Sequence, residues 1–261
     1  MKLHPSWNLK PLFGTLVFSC LATLALFSAQ VGALEFSSGT KQTQLIELYT
    51  SEGCSSCPPA DRWLTRLKED PGLWREFVPV AFHVDYWDYI GWTDRFAKPS
   101  HAARQRQHAK LGNVKTVYTP GFVVNGTEWR GWFRRQALPD NSSESGSLSA
   151  TLTDGELTLS FKPSDQYSQI IATVAALGAD SISEVSRGEN ANKTLTHDFA
   201  VLSQQSIGLD FDSAENKFSG AADIVFPDNA KAIAVWVSSQ ANLRPLQATG
   251  TWLAGKSVEH E

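Results

Sequence analysis

The chain has 261 residues, with 23 lysines and arginines against 27 aspartates and glutamates, for a net charge of −4 with neutral histidines. A mildly acidic chain without a basic block has no electrostatic reason to seek nucleic acid, so that class of partner is not expected. Its length is enough to bury a sizeable core, as one large domain or two ordinary ones.

The first segment reads as an export signal and not as part of the fold. Lys2 and Lys10 give it a positive start, residues 12–27 are apolar or small, and residues 29–33 (AQVGA) place small side chains where a signal peptidase needs them. Cleavage is placed after Ala33, with Ala29 as the alternative, making residues 1–33 a signal peptide and the mature protein periplasmic or secreted. The apolar run falls short of the ~20 residues that a retained anchor needs, and no later stretch is long enough to span a membrane. Cys20 lies inside the run, but Phe18 is a poor lipobox residue and the run continues past it, so lipidation is not expected. Removing residues 1–33 takes away Lys2 and Lys10 and no acid, so the net charge moves from −4 to −6.

Residues 44–50 (QLIELYT) read as a buried strand. Residues 58–70 read as a helix, with Ala60, Trp63, Leu64 and Leu67 at i, i+3, i+4 and i+7 and Pro58-Pro59 at its start. Residues 78–84 (VPVAFHV) are a second buried strand, and strand, helix and strand together predict a parallel βαβ unit. An aromatic loop, 85–96 (DYWDYIGWTDRF), precedes a helix over 100–111. Residues 121–124 form a strand, Asn125-Gly126 a hairpin turn, 127–131 its return, and 134–138 a short closing helix. Residues 139–147 (PDNSSESGS) are polar and small and read as a linker. Beyond it the pattern is β. A hairpin turns at Asp154-Gly155, with further strands near 170–176, 217–226, 230–238 and 248–253. The expected fold class is α/β, with an α/β domain over residues 43–138 followed by a mainly-β, sandwich-like domain over 148–255.

The chemistry lies at Cys54-Ser55-Ser56-Cys57. The mature chain keeps only these two cysteines, which pair in an oxidising compartment. A bridge across two residues closes a very short loop and adds little stability through chain entropy, so redox chemistry explains it better than stapling. A helix N-terminus stabilises a thiolate, the species that attacks disulfides. Cys54, nearer the strand end and solvent, is expected to be the nucleophile, and Cys57 the resolving thiol. A structural zinc site needs four ligands, and no second cysteine pair exists, so neither a metal nor any other cofactor is expected.

Four stretches, TSEGCSSCPPAD (50–61), YWDYIGWTDRFA (86–97), YTPGFVVNG (118–126) and RGENANKTLTHDF (187–199), together resemble the bacterial secreted family called domain of unknown function 1223. That family is similar to thioredoxins in its N-terminal part. The resemblance implies a thioredoxin-like fold for the first domain and export, and no assigned activity. It also gives Pro120 a role, as a cis-proline after Thr119 that leaves the preceding backbone free to pair with a bound peptide. The dipeptide here is Ser-Ser in place of the Gly-Pro usual in thioredoxins, so the direction of exchange stays open.

Other candidates carry less. Glu47, in the strand before the site, is a candidate proton shuttle for Cys57, or a paired half-buried acid. Tyr86, Trp87 and Trp92 wall a cleft beside Cys54, or hold a long loop in place. Arg187, Glu189, Asn190, His197 and Asp198 line an interface or ligand site, or form a polar turn. The functional expectation is an exported thiol–disulfide oxidoreductase acting on protein or small-molecule disulfides, with an unnamed redox partner. Two rivals stand beside it. One is a non-catalytic ligand- or protein-binding module with a structural disulfide. The other is a copper-handling protein using both thiolates and a nearby histidine such as His83.

Overall fold

A computed structural model of the chain describes residues 1–2, 32–239 and 242–253. The chain divides into two units, Met1–Val31 and Gly32–Glu261, and the second carries everything below. Most of the segment expected to be an export signal, with Cys20, lies outside the described residues.

Leu34–Ser37 forms a short edge strand, β1. β2 (Gln44–Thr50) is buried along its whole length, as expected when both sheet faces are covered, and this burial includes the polar Gln44, Glu47 and Thr50. α1 (Pro58–Thr65) carries its prolines in the first turn, where their missing N–H has no intrahelical partner to lose. It ends sooner than expected, because Arg66–Glu69 tightens into a 3-10 turn. β3 (Phe77–His83) pairs parallel to β2, from Gln44 beside Phe77 to Thr50 beside His83. α2 (Pro99–Lys110) leads to β4 (Gly121–Val124), antiparallel to β2. Asn125 and Gly126, both at positive φ, turn the chain into β5 (Thr127–Glu128). In place of the closing helix expected at 134–138 there is one 3-10 turn, Trp132–Arg134.

The rest of the chain is strand. β6 (Gly146–Thr153) and β7 (Glu156–Pro163) form the hairpin expected at Asp154-Gly155. β8 (Ile170–Gly178), β9 (Ser181–Val185), β10 (Lys193–His197), β11 (Ala200–Asp212), β12 (Lys217–Asp223), β13 (Ala232–Ser239) and β14 (Pro245–Trp252) follow. β9 and β10 pair only with each other, and the remaining twelve strands form one mixed sheet.

This arrangement corrects the expected fold class. The chain does not build an α/β, thioredoxin-like domain followed by a mainly-β sandwich. Among the described residues two α-helices stand against fourteen strands, and the twelve-stranded sheet runs through both halves. The physical cause is β11, where the sequence suggested no strand because its centre, SQQS, is polar. Ala200 lies parallel beside Ala81 of β3. The next stretch pairs antiparallel with β8 through Leu209, and residues 210–212 pair with β12. One long strand therefore carries the sheet from β3 into the second half.

Two hydrophobic cores share the middle strands. Alternate residues of β8 and β13 face opposite ways. Ala175, Leu177, Ala232, Ala234 and Trp236 join the core around β2, β3 and the helices. Val174, Ala176, Ile233, Val235 and Val237 join Leu148, Leu157, Leu159 and Phe161 in the other. Each buried Val, Leu, Ile or Phe among them contributes about 1.5–3 kcal/mol of transfer free energy, which explains the largely apolar runs in β8 and β13.

Candidate functional site

The loop from Ser51 to Cys57 leaves the C-terminal end of β2 and winds tightly into α1. Cys54 and Cys57 are joined by a disulfide with their Cα atoms 5.4 Å apart. Cys57 is the N-cap of α1. The Cys54 N–H donates to the Ser51 carbonyl (3.1 Å) and the Cys57 N–H to the Cys54 carbonyl (3.1 Å). Both cysteines are buried, 1% and 0% exposed, beneath the exposed Ser55 and Ser56. Exposure therefore does not single out Cys54 as the sequence order suggested.

The loop is held from both halves of the chain. The buried side-chain amide of Asn190 donates to the carbonyls of Glu52 (2.9 Å) and Cys54 (3.0 Å). Glu189 accepts from the Ser55 N–H (3.1 Å), and Lys193 anchors Asn190 through its Oδ1 (2.9 Å). A Cβ on Gly53 would stand 2.9 Å from the Trp87 Cβ, and one on Gly188 3.1 Å from Ile90. The aromatic loop is thus packed between the disulfide loop and the 187–190 turn. Its half-buried rings are tied by their polar atoms. Trp87 donates to the Thr119 hydroxyl (2.8 Å), Trp92 to Glu52 (2.7 Å), and the Tyr86 hydroxyl to Gln105 (3.0 Å). The Thr119-Pro120 peptide is cis. Tyr49 pairs with Gly121, and extending that register sets Thr119 and Pro120 beside Ser51 and Thr50, at the sheet end that carries the disulfide.

Behind the disulfide lies a buried cluster of acids and imidazoles. His83 Nδ1 is 2.6 Å from Asp94 Oδ2, and Asp94 also accepts from the N–H groups of Glu52 (2.8 Å) and Phe96 (2.9 Å). Burial works against the Asp94 charge, but His83 and these donors outweigh it and hold the carboxyl down at about 2. Burial likewise opposes a charged His83, yet the Asp94 carboxylate keeps its pKa above the ordinary value. The His83 and His197 rings meet edge to face, centroids 4.7 Å apart. His197 Nε2 stands 3.2 Å from Glu52 Oε1 but is not aligned as a hydrogen bond. His83 Nε2 and both His197 nitrogens have no hydrogen-bond partner among the described residues. Asp61, one turn past Cys57, accepts only a 3.1 Å bond from the Thr50 hydroxyl among the side-chain bonds described. Burial raises its pKa, against the pull of His197 and His83.

Glu47 belongs elsewhere. Its carboxylate takes a bidentate pair from Arg104 (2.7 and 2.9 Å) and a bond from Tyr49 (2.7 Å), with His108 at 3.3 Å. Burial opposes this charge, but Arg104 and His108 hold the carboxyl far below the usual range. Side chains alternate along a strand. Glu47 therefore points at α2, while Thr50, three residues on, points at Asp61 of α1 on the other face. Among the sequence candidates, Cys54, Cys57, Thr119, Pro120, Trp87 and Trp92 come together, and Glu47 does not join them. Glu52, Asp61 and Asp94 sit inside the quoted motifs but carried no assigned role. The i, i+4 spacing of Cys57 and Asp61 on a predicted helix was the available signal. Among the described residues no group of three or more His, Cys, Asp or Glu is placed to hold a metal ion.

The fold and site define a mixed-sheet protein with a two-residue-spaced disulfide at a helix start, backed by buried acid–imidazole pairs. The chain belongs to the family described as protein of unknown function (DUF1223), which matches residues 45–238. The family read from the four motifs is therefore shown, whereas a thioredoxin likeness does not extend to this fold. The chain is similar to a crystal structure of a protein from Agrobacterium tumefaciens, a structural-genomics target. The TM-score is 0.62 at 21% identity, covering 85% of this chain and 100% of that one, a likeness that carries the fold alone. No curated protein matches the chain.

Proposed function

We propose that the protein is exported and exchanges thiols and disulfides with a protein or small-molecule substrate through Cys54 and Cys57. The observation that carries this reading is the Cys54–Cys57 disulfide itself, closed across two residues at the N-cap of α1. So short a bridge constrains the unfolded chain little, and the positive end of the helix dipole favours the thiolate that exchange requires, although Pro58 and Pro59 carry no N–H and those of Ala60 and Asp61 are taken by the Cys57 carbonyl. Trp87, Trp92, Tyr86 and the Thr119-Pro120 segment form the wall against which a substrate would lie. Export is supported by the pattern of residues 1–33, and cleavage after Ala33 leaves β1 intact from Leu34.

A second reading, a binding module with a structural disulfide, is favoured by one specific observation. Both cysteines are buried and the loop is strapped down by Asn190. The reduction potential separates the two. Mature protein is equilibrated with glutathione or dithiothreitol buffers, and free thiols are trapped. A value between about −270 and −120 mV is expected for exchange, and a value below about −300 mV overturns it in favour of the structural bridge.

A further inference from the structure

We infer that Asp61 trades a proton with Cys57 during disulfide exchange, and that His197 and the cleft between α1 and β10 connect Asp61 to solvent. The inference rests on the exchange reading above and supplies the residue that manages its proton.

Asp61 follows Cys57 by four residues on α1, so the two side chains lie on one helix face. The Asp61 N–H donates to the Cys57 carbonyl at 3.1 Å. Asp61 as a residue is 8% exposed, and its carboxyl takes part in no salt bridge among those described. The groups facing it are Thr50 from β2, His83 from β3, Asp94 from the aromatic loop and His197 from β10, with Glu52 behind His197. Asp94 and Glu52 are held as anions by their donors. Asp61 is the carboxyl in the cluster whose proton affinity is raised by burial above that of the others. Buried polar atoms are normally paired, yet the His197 nitrogens make no aligned hydrogen bond, Nε2 standing 3.2 Å from Glu52 Oε1. Asp61 and His197 together line a cleft of about 170 Å³ with Arg62, Thr65, Thr194 and Thr196. Pro58 and Leu195 complete its lining, and the cleft is large enough to admit water to its polar side chains.

The step balances as follows. A thiolate of a dithiol substrate bonds to the Cys54 sulfur, the Cys54–Cys57 bond breaks, and its electron pair goes to Cys57. Asp61 gives its proton to that sulfur and is reprotonated from water through His197. The second substrate thiolate then attacks its own sulfur in the mixed disulfide and releases Cys54 as a thiolate. The substrate leaves oxidised by two electrons, which the protein dithiol now carries. In reverse, the Asp61 carboxylate takes the Cys57 proton, and the Cys57 thiolate attacks the Cys54 sulfur of the mixed disulfide.

The test is the pH dependence of iodoacetamide alkylation of Cys57 in the reduced mature Cys54→Ser protein, which lacks Cys20, with and without Asp61→Asn. With Asp61 present the titration is expected in two steps, as for coupled acids. Asp61→Asn should leave one step at lower pH, because a like charge is gone. In the otherwise native protein, Asp61→Asn should slow single-turnover exchange with dithiothreitol at pH 7 about 10²-fold, a loss that shrinks as pH rises. If Asp61→Asn does not fold, His197→Gln reads the same path, and exchange with dithiothreitol at pH 7 should slow while the Cys57 alkylation midpoints stay in place. Unchanged midpoints with an unchanged pH–rate profile overturn the inference, whatever happens to the melting temperature. Alkylation needs no turnover, so a coupled pair together with a potential below about −300 mV would sink the exchange reading and leave the proton pair standing.

Discussion

Two buried acid–base clusters sit on opposite faces of the β2–β3 pair, and they differ in how completely they are satisfied. On the α2 face, Glu47 receives a bidentate guanidinium, a phenol and an imidazole, and its charge is locked. At the disulfide end, Asp94 and His83 form one tight pair, but Asp61 holds a single hydroxyl bond and His197 no aligned hydrogen bond. Similar side chains thus do different work. A charge surrounded by matched donors is a fixed part of the core, whereas a buried carboxyl kept short of donors holds its proton more tightly than an ordinary one.

That contrast is broken most severely from the α2 face. Arg104→Ala leaves Glu47 buried with its main counter-charge gone, which costs about 3–5 kcal/mol. At this chain length the melting temperature should fall by roughly 10 °C. A melt within a degree or two of wild type would show that the pair is not structural.

Asp94→Asn comes next, at about 1.5–3 kcal/mol, the worth of a hydrogen bond to a charged group, and its cost depends on pH. Asp94 has a depressed folded pKa of about 2 against an ordinary 3.8, so its contribution is present above about 4 and fades as pH falls toward 2. His83 has a raised pKa, so its contribution is complete below the ordinary 6.5 and fades as pH rises through the folded value. Urea melts across pH should therefore show the largest cost between about pH 4 and 6.5, and a flat profile would disprove the coupling.

Asn190→Ala removes both bonds to the disulfide loop and costs roughly 1–3 kcal/mol. It should also speed reduction of Cys54–Cys57 by dithiothreitol, because the strap over the loop is gone. Unaltered reduction kinetics would mean that Asn190 supports the fold without governing the disulfide. The smallest effect is expected for Asp61→Asn, and it is a gain. The raised pKa of Asp61 means that its stabilisation is present below the ordinary 3.8 and lost as pH rises through the folded value. The variant should therefore melt higher than wild type at pH 7 and lose that advantage in acid.

Much of this site was legible because its parts are close in sequence. The Cys54–Cys57 spacing, the prolines that open α1, the Asn125-Gly126 turn and the Asp154-Gly155 hairpin each follow from local sterics or hydrogen bonding. The buried strands β2, β3, β8 and β13 were legible from their largely apolar runs. Glu47 was recognisable as a buried acid, but its direction was not, because the face a strand residue points to depends on which helix covers which side.

The local sequence by itself determined the disulfide pair, the helix start behind it, the turns and the apolar strands, since each rests on contacts a few residues apart. Only the tertiary structure decided the rest. The polar strand β11 joins both halves into one sheet, a role set by its neighbours β3, β8 and β12 and not by its own pattern. Asn190 reaches the Cys54 carbonyl from 136 residues away, and His197 is brought beside Asp61 by the packing of β10 on α1. Such contacts depend on how distant segments are ordered in the sheet, and no local period in the chain encodes that order.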